Sequence, residues 1–139
     1  MKYQALDIGA ARNAIENLLY EYAARANELD AAGIGELLSE ATLRSTAGVQ
    51  VSGGEAIAAH LGGLFETAQK SRHMMSNIQI DLADDGLSAS TVCLYNKWVI
   101  EDRPRLDAAG RYESSFVVEK GQWRFASHLV DSRWRETPH

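Results

Sequence analysis

Cysteine is nearly missing from this sequence. Cys93 is the only one in 139 residues, which excludes an internal disulfide and any metal site built from several thiolates. Proline is almost as scarce, with Pro104 and Pro138 alone. No run of lysine or arginine occurs, so a nucleic-acid footprint is missing and an anionic membrane surface is a poor partner. No stretch approaches the roughly 18 apolar residues that a membrane span needs. His-x-His, His-Glu-x-x-His and Cys-x-x-Cys are all lacking, so spacing favours no metal. The pairs Gly53-Gly54 and Gly62-Gly63 carry none of the phosphate-binding fingerprints. The opening residues Met1-Lys2-Tyr3-Gln4-Ala5 have no apolar core of a secretion signal. What is present is ordinary for a globular chain: 45% hydrophobic, 24% charged, net charge −5 and pI near 5.3. The expectation is one acidic, cytoplasmic domain over 1–139, without metal or cofactor and without a nucleic-acid or membrane partner.

Residues 7–29 predict one amphipathic helix. Ile8, Ala11, Ile15, Leu18, Leu19, Tyr22, Ala23 and Ala26 form its apolar stripe, and Asp7 is a candidate N-cap. Residues 34–39 suggest a short second helix, residues 42–51 one or two short strands, and residues 55–69 a third helix with Ile57, Leu61, Leu64 and Phe65 on one side. Then the period changes to two. The runs 74–82, 89–101, 112–119 and 122–133 are rich in Val, Ile, Thr, Ser and aromatics. Asp84-Asp85-Gly86 and Lys120-Gly121 read as hairpin turns, and 102–110 reads as the longer connection. Helices followed by an antiparallel meander spell an α+β fold, with a pocket expected between the curved sheet and the first helix.

Chemistry has few candidates. Of the four histidines, His139 is terminal, His60 sits on a predicted helix, and His73 and His128 sit on strands. Cys93 lies in the apolar run Thr91-Val92-Cys93-Leu94, where a thiol is usually a small core residue. The residues alone name no reaction.

Their order does resemble a known family. Leu18-x3-Tyr22, then Asp30, His73-x3-Asn77, Gly110-Arg111-Tyr112 and Gly121-x-Trp123-Arg124-Phe125 resemble the SnoaL-like, polyketide cyclase-like branch of the nuclear transport factor 2-like superfamily. The look is nearest to scytalone dehydratase and hexachlorocyclohexane dehydrochlorinase, and it spans residues 8–134. The resemblance implies a cone-shaped α+β barrel, three N-terminal helices packed on a curved, mostly antiparallel sheet around a deep apolar pocket. It also implies cofactor-free elimination, isomerisation, cyclisation or retro-aldol-type cleavage.

Carried over residue by residue, His73 takes the general-base position. The aspartate that pairs with it in the family falls on Asn27, and Asp30 matches a second, structural acidic position. Asparagine still orients an imidazole but supplies no charge to stabilise an imidazolium. Tyr22 joins His73 and Asn27 as a catalytic candidate. His128, Tyr112, Tyr95, Cys93 and Lys97 are the substrate-contact candidates, which suits an aromatic or polycyclic hydroxylated molecule. The other reading is a non-catalytic ligand-binding or assembly subunit like the beta subunits of ring-hydroxylating dioxygenases. Either way a homo-oligomer is expected, a trimer ahead of a dimer, through an outer sheet face bearing Val92, Leu94 and Trp98.

Overall fold

The apolar stripe of the first segment folds as the 3.6-residue period requires. In the computed structural model, which describes residues 5–136, helix α1 runs over Ala5–Asn27 and buries Ala11, Ile15, Leu19, Tyr22, Ala23 and Ala26. Asp7 is in its first turn and not at its N-cap. His139 and the opening residues Met1 to Gln4 lie outside the described residues. After Leu29, whose φ of 59° turns the chain, Asp30 caps helix α2 (Ala31–Leu37) by accepting the Gly33 N–H at 2.9 Å. Helix α2 thus starts three residues earlier than the sequence pattern suggests, because the cap and not the apolar pair Leu37-Leu38 sets its beginning. Strands β1 (Thr42–Ser45) and β2 (Gln50–Ser52) follow, then α3 (Gly54–Phe65). A Cβ on Gly35 would fall 2.6 Å from the Gly54 carbonyl oxygen, so α2 and α3 touch backbone to backbone and only glycine fits there.

The second half is the meander β3 (Ser71–Leu82), β4 (Ser88–Val99), β5 (Arg105–Glu119) and β6 (Gln122–Arg135). The six strands form one sheet in the order β2-β1-β6-β5-β4-β3, antiparallel except where β1 runs parallel to β6. Strand β5 begins seven residues before the predicted 112. The connection is therefore shorter than 102–110 and ends at residue 104; Ala108, Ala109 and Gly110 pair with β4 and β6. Bulges interrupt β3 between Ser76 and Gln79, β4 at Lys97/Trp98 and β5–β6 at two places. Each adds local twist, which bends the sheet around the helices.

One face of the sheet and the three helices enclose the core. Ile15, Leu19, Ile34, Leu38 and Ile57 from the helices meet Tyr112, Phe116 and Phe125 from the strands, all 2% exposed or less. On the opposite face Leu94 and Trp134 are 48% and 45% exposed, while Val92 and Trp98 are half-buried. No helix among the described residues is long and apolar enough to cross a membrane.

Candidate active site

Cross-strand register collects the polar side chains of the inner face into rows. His73, Lys97, Ala108 and Arg135 pair in succession across β3, β4, β5 and β6. Further in, Ile80, Thr91, Ser114 and His128 do the same. Tyr95 and Tyr112 stand between.

At the outer row, α1 meets the sheet edge. Strand β3 is the edge strand, so its outward N–H groups need partners from elsewhere. The side-chain oxygen of Asn27, the last residue of α1, accepts the backbone N–H of His73 at 2.7 Å and faces the His73 ring nitrogen Nδ1 at 2.7 Å. This double contact fixes the chemistry. An atom that accepts a backbone N–H is the amide oxygen, and an oxygen without a proton requires Nδ1 to be the donor. His73 is therefore the Nδ1–H tautomer, and its Nε2 carries a free lone pair. Burial pushes its pKa down to about 4, the Lys97 ammonium pushes the same way, and the Asp107 carboxylate opposes them. Lys97 is half-buried and pairs with Asp107 at 3.4 Å. The imidazole is neutral at pH 7.

The deeper row is sealed. His128 has no exposed surface. Its Nδ1 is 2.8 Å from the Ser114 hydroxyl, while Nε2 and the nearby Thr91 hydroxyl have no hydrogen-bond partner among the described residues. Burial alone drives its pKa down to about 3. The His128 ring lies 4.3 Å from the Tyr22 ring and 4.8 Å from that of Tyr112. Tyr112 in turn stacks on Tyr95 at 4.3 Å and 4°, and the Tyr95 hydroxyl meets Ser132 at 2.8 Å. Burial first raises the pKa values of Tyr22, Tyr95 and Tyr112, so all three tyrosines stay protonated hydrogen-bonding groups. Cys93 is 1% exposed, and its thiol is pushed up to about 11 by burial, the mark of an inert core thiol.

The structure thus brings His73 to Asn27 and Lys97 at the rim, and Tyr22, Tyr95, Tyr112 and His128 into one aromatic cluster below. It does not bring the two histidines into one hydrogen-bonded set, and Asp30 is occupied with its cap. Ser114 and Ser132 were hidden from sequence reasoning, whereas Thr91 shares the strand face of Cys93, Tyr95 and Lys97. The bulge at Ser115/Phe116 shifts β6 by one residue, so a strict period of two does not pair Ser114 with His128. Clefts of about 510, 430, 310 and 270 Å³ open around the fold, and neither His73 nor His128 lines any of these four. His128 is closed off from solvent, with the Tyr22 ring against it. Among the described residues no cluster of three or more His, Cys, Asp or Glu is placed to hold a metal.

This fold and residue set define a family. The model of the SnoaL-like domain matches residues 9–128, and the chain belongs to the SnoaL-like family. Solved structures agree at the level of fold. LinA is 13% identical, with a TM-score of 0.80 over 96% of this chain and 98% of its own. A candidate scytalone dehydratase of Novosphingobium aromaticivorans is 19% identical, with a TM-score of 0.81 over 98% and 93%. Aln2 from a Streptomyces species is 20% identical, with a TM-score of 0.77 over 95% and 94%. No curated protein matches the sequence.

Proposed function

We propose that the protein, read as one domain over 1–139, is a cofactor-independent lyase or isomerase acting on an aromatic or polycyclic hydroxylated small molecule. The observation that carries this reading is the double contact of Asn27 with His73, which leaves Nε2 as a lone pair held in a fixed direction. A neutral imidazole whose conjugate acid is this strong takes only an activated proton, one beside a carbonyl or on a phenol. In a dehydration, Nε2 takes the proton from the carbon beside the carbonyl. The C–H electron pair forms the new double bond, the β-hydroxyl leaves, and the imidazolium returns the proton to it as water. In a retro-aldol cleavage, Nε2 takes the proton of the β-hydroxyl and the C–C bond breaks. The aldehyde departs, and the ring carbon takes the proton back. Tyr22 and Tyr112 serve as hydrogen-bond donors to the substrate oxygen, with His128, Tyr95 and Lys97 as further contacts and Cys93 as apolar lining.

The experiment is turnover of a panel of hydroxylated aromatic ketones and aldols, followed by mass loss. His73→Ala should lower kcat by on the order of 10²-fold or more, with the melting temperature kept. Asn27→Asp adds the missing charge and raises the His73 pKa. Turnover limited by proton abstraction should then rise at a pH above the new pKa.

A second reading is favoured by the same asparagine. With no carboxylate to stabilise an imidazolium, the barrel suits a non-catalytic ligand-binding subunit. In that case the panel binds without mass loss, and His73→Ala changes affinity alone. A homo-oligomer built through the outer sheet face accompanies either reading, with the exposed Leu94 and Trp134 at its centre; a monomer in light scattering at micromolar concentration would reject it.

A further inference from the structure

The rim row that begins with His73 ends at Arg135, and Arg135 stands over a cleft. The cleft holds about 270 Å³ and is lined by Ser45, Thr46, Ala47, Val130, Ser132 and Arg135. Its wall is tethered to the barrel, because the Thr46 N–H donates to the Val130 carbonyl at 3.1 Å. Its floor belongs to the inner face. Val130 pairs with Tyr112 and Ser132 with Gly110, and the Ser132 hydroxyl meets the Tyr95 hydroxyl at 2.8 Å. That hydroxyl contact is the cleft's link to the stacked Tyr95 and Tyr112 rings packed behind its floor.

Arg135 makes no ion pair among the described residues, unlike Arg111, Arg124 and Arg133, which all hold carboxylates. It is close enough to Tyr95 to draw the phenol's pKa down against the burial that raises it. On a chain of net charge −5, a guanidinium without an ion pair beside this hydroxyl-lined cleft draws anions to it. The guanidinium fork matches a planar carboxylate with two parallel hydrogen bonds. Ser132 and Thr46 offer hydroxyls beside it.

We propose that this cleft is a carboxylate-recognition site: the ligand is an aromatic acid whose carboxylate pairs with Arg135 and whose ring lies on Val130 and Ser132. The proposal rests on the reading that the barrel takes an aromatic molecule, and it narrows that molecule to one carrying an anionic group at the end that faces the mouth. His73 and Arg135 lie at opposite ends of one row, three strand spacings or roughly 14 Å apart along the backbone.

Calorimetry with 4-hydroxybenzoate and its neutral analogue 4-hydroxybenzyl alcohol tests this on the whole chain. The acid should bind at least tenfold more tightly than the alcohol. Arg135→Gln should erase that preference while leaving the alcohol's Kd unchanged, and Arg135→Lys, which keeps the charge but loses the fork, should retain only part of it. A thermal melt of both variants confirms that they fold. Equal affinity of the native chain for the two ligands, or a preference that survives Arg135→Gln, overturns the carboxylate site and leaves the aromatic interior standing. Failure of both ligands to bind overturns the site and the aromatic reading together.

Discussion

The two strand histidines occupy the same inner face and have opposite surroundings. His73 lies at the rim, half-buried, with both nitrogens accounted for: Nδ1–H toward Asn27, and Nε2 carrying its lone pair. His128 lies deeper, fully buried, with one nitrogen on Ser114 and its ring packed against other aromatic rings. Burial depresses both pKa values, so charge does not separate them. Partners do. A histidine whose hydrogen bonds come from a helix end can be lost with little disturbance to the sheet. One that fills a core row between Phe125, Tyr112 and Tyr22 is part of the packing.

That contrast breaks most sharply under truncation. His128→Ala should cost about 2–4 kcal/mol of stability, since it opens a cavity and strands the Ser114 hydroxyl. His73→Ala should cost under about 1 kcal/mol, because its main partner is at the surface end of α1. Urea unfolding of both variants decides it; equal losses would mean that the rim histidine is also structural.

Acid comes next. Both folded pKa values lie below the unfolded 6.5, so the unfolded chain binds more protons between them. Each histidine therefore contributes stability that is complete above pH 6.5. It is lost as pH falls toward about 4 for His73 and about 3 for His128. The slope should approach about 1.4 kcal/mol per pH unit for each histidine between pH 6 and 4. Glu119, held low by Arg124, and Asp131, held low by Arg133, add their losses as pH falls through the ordinary values of 4.5 and 3.8, so the histidine slope is read in the upper part of that window. Removing His128 should halve the slope, read from melts at a series of pH values.

The smallest expected effect sharpens the comparison from the helix side. Asp30→Ala removes the α2 cap and should cost about 1 kcal/mol without changing turnover. Asn27→Ala should do the reverse, losing activity through the His73 tautomer. If Asp30→Ala lowers turnover as Asn27→Ala does, the rim acid and not the asparagine governs the site.

Much of this architecture was legible because it is periodic. The stripe from Ala11 to Ala26, the hairpin turns at Asp84-Asp85-Gly86 and Lys120-Gly121, and the short strands around Leu43 and Val51 all follow from patterns local in sequence. The start of β5 was not, because Ala108, Ala109 and Gly110 carry no strand pattern of their own and pair through their neighbours. Within the candidate site, Asn27 beside His73 followed from the family resemblance and not from the residues alone. Ser114 and Ser132 did not, since the bulge at Ser115/Phe116 resets the register between the hairpin turn and both of them. Arg135 was invisible as a chemical group until the strand pairing put it in the row of His73.

The parallel pairing of β1 with β6 joins Thr42 to Ser127, residues on opposite sides of the whole meander in sequence. Closing so long a loop is slow, whereas the three hairpins from β3 to β6 close locally. The four-stranded meander should therefore assemble first, with β1 and β2 joining it last at the sheet edge. The cleft under Arg135, walled by the β1–β2 turn, is thus completed in the final step of folding, and amide exchange at Leu43 and Arg44 should be the fastest in the sheet interior.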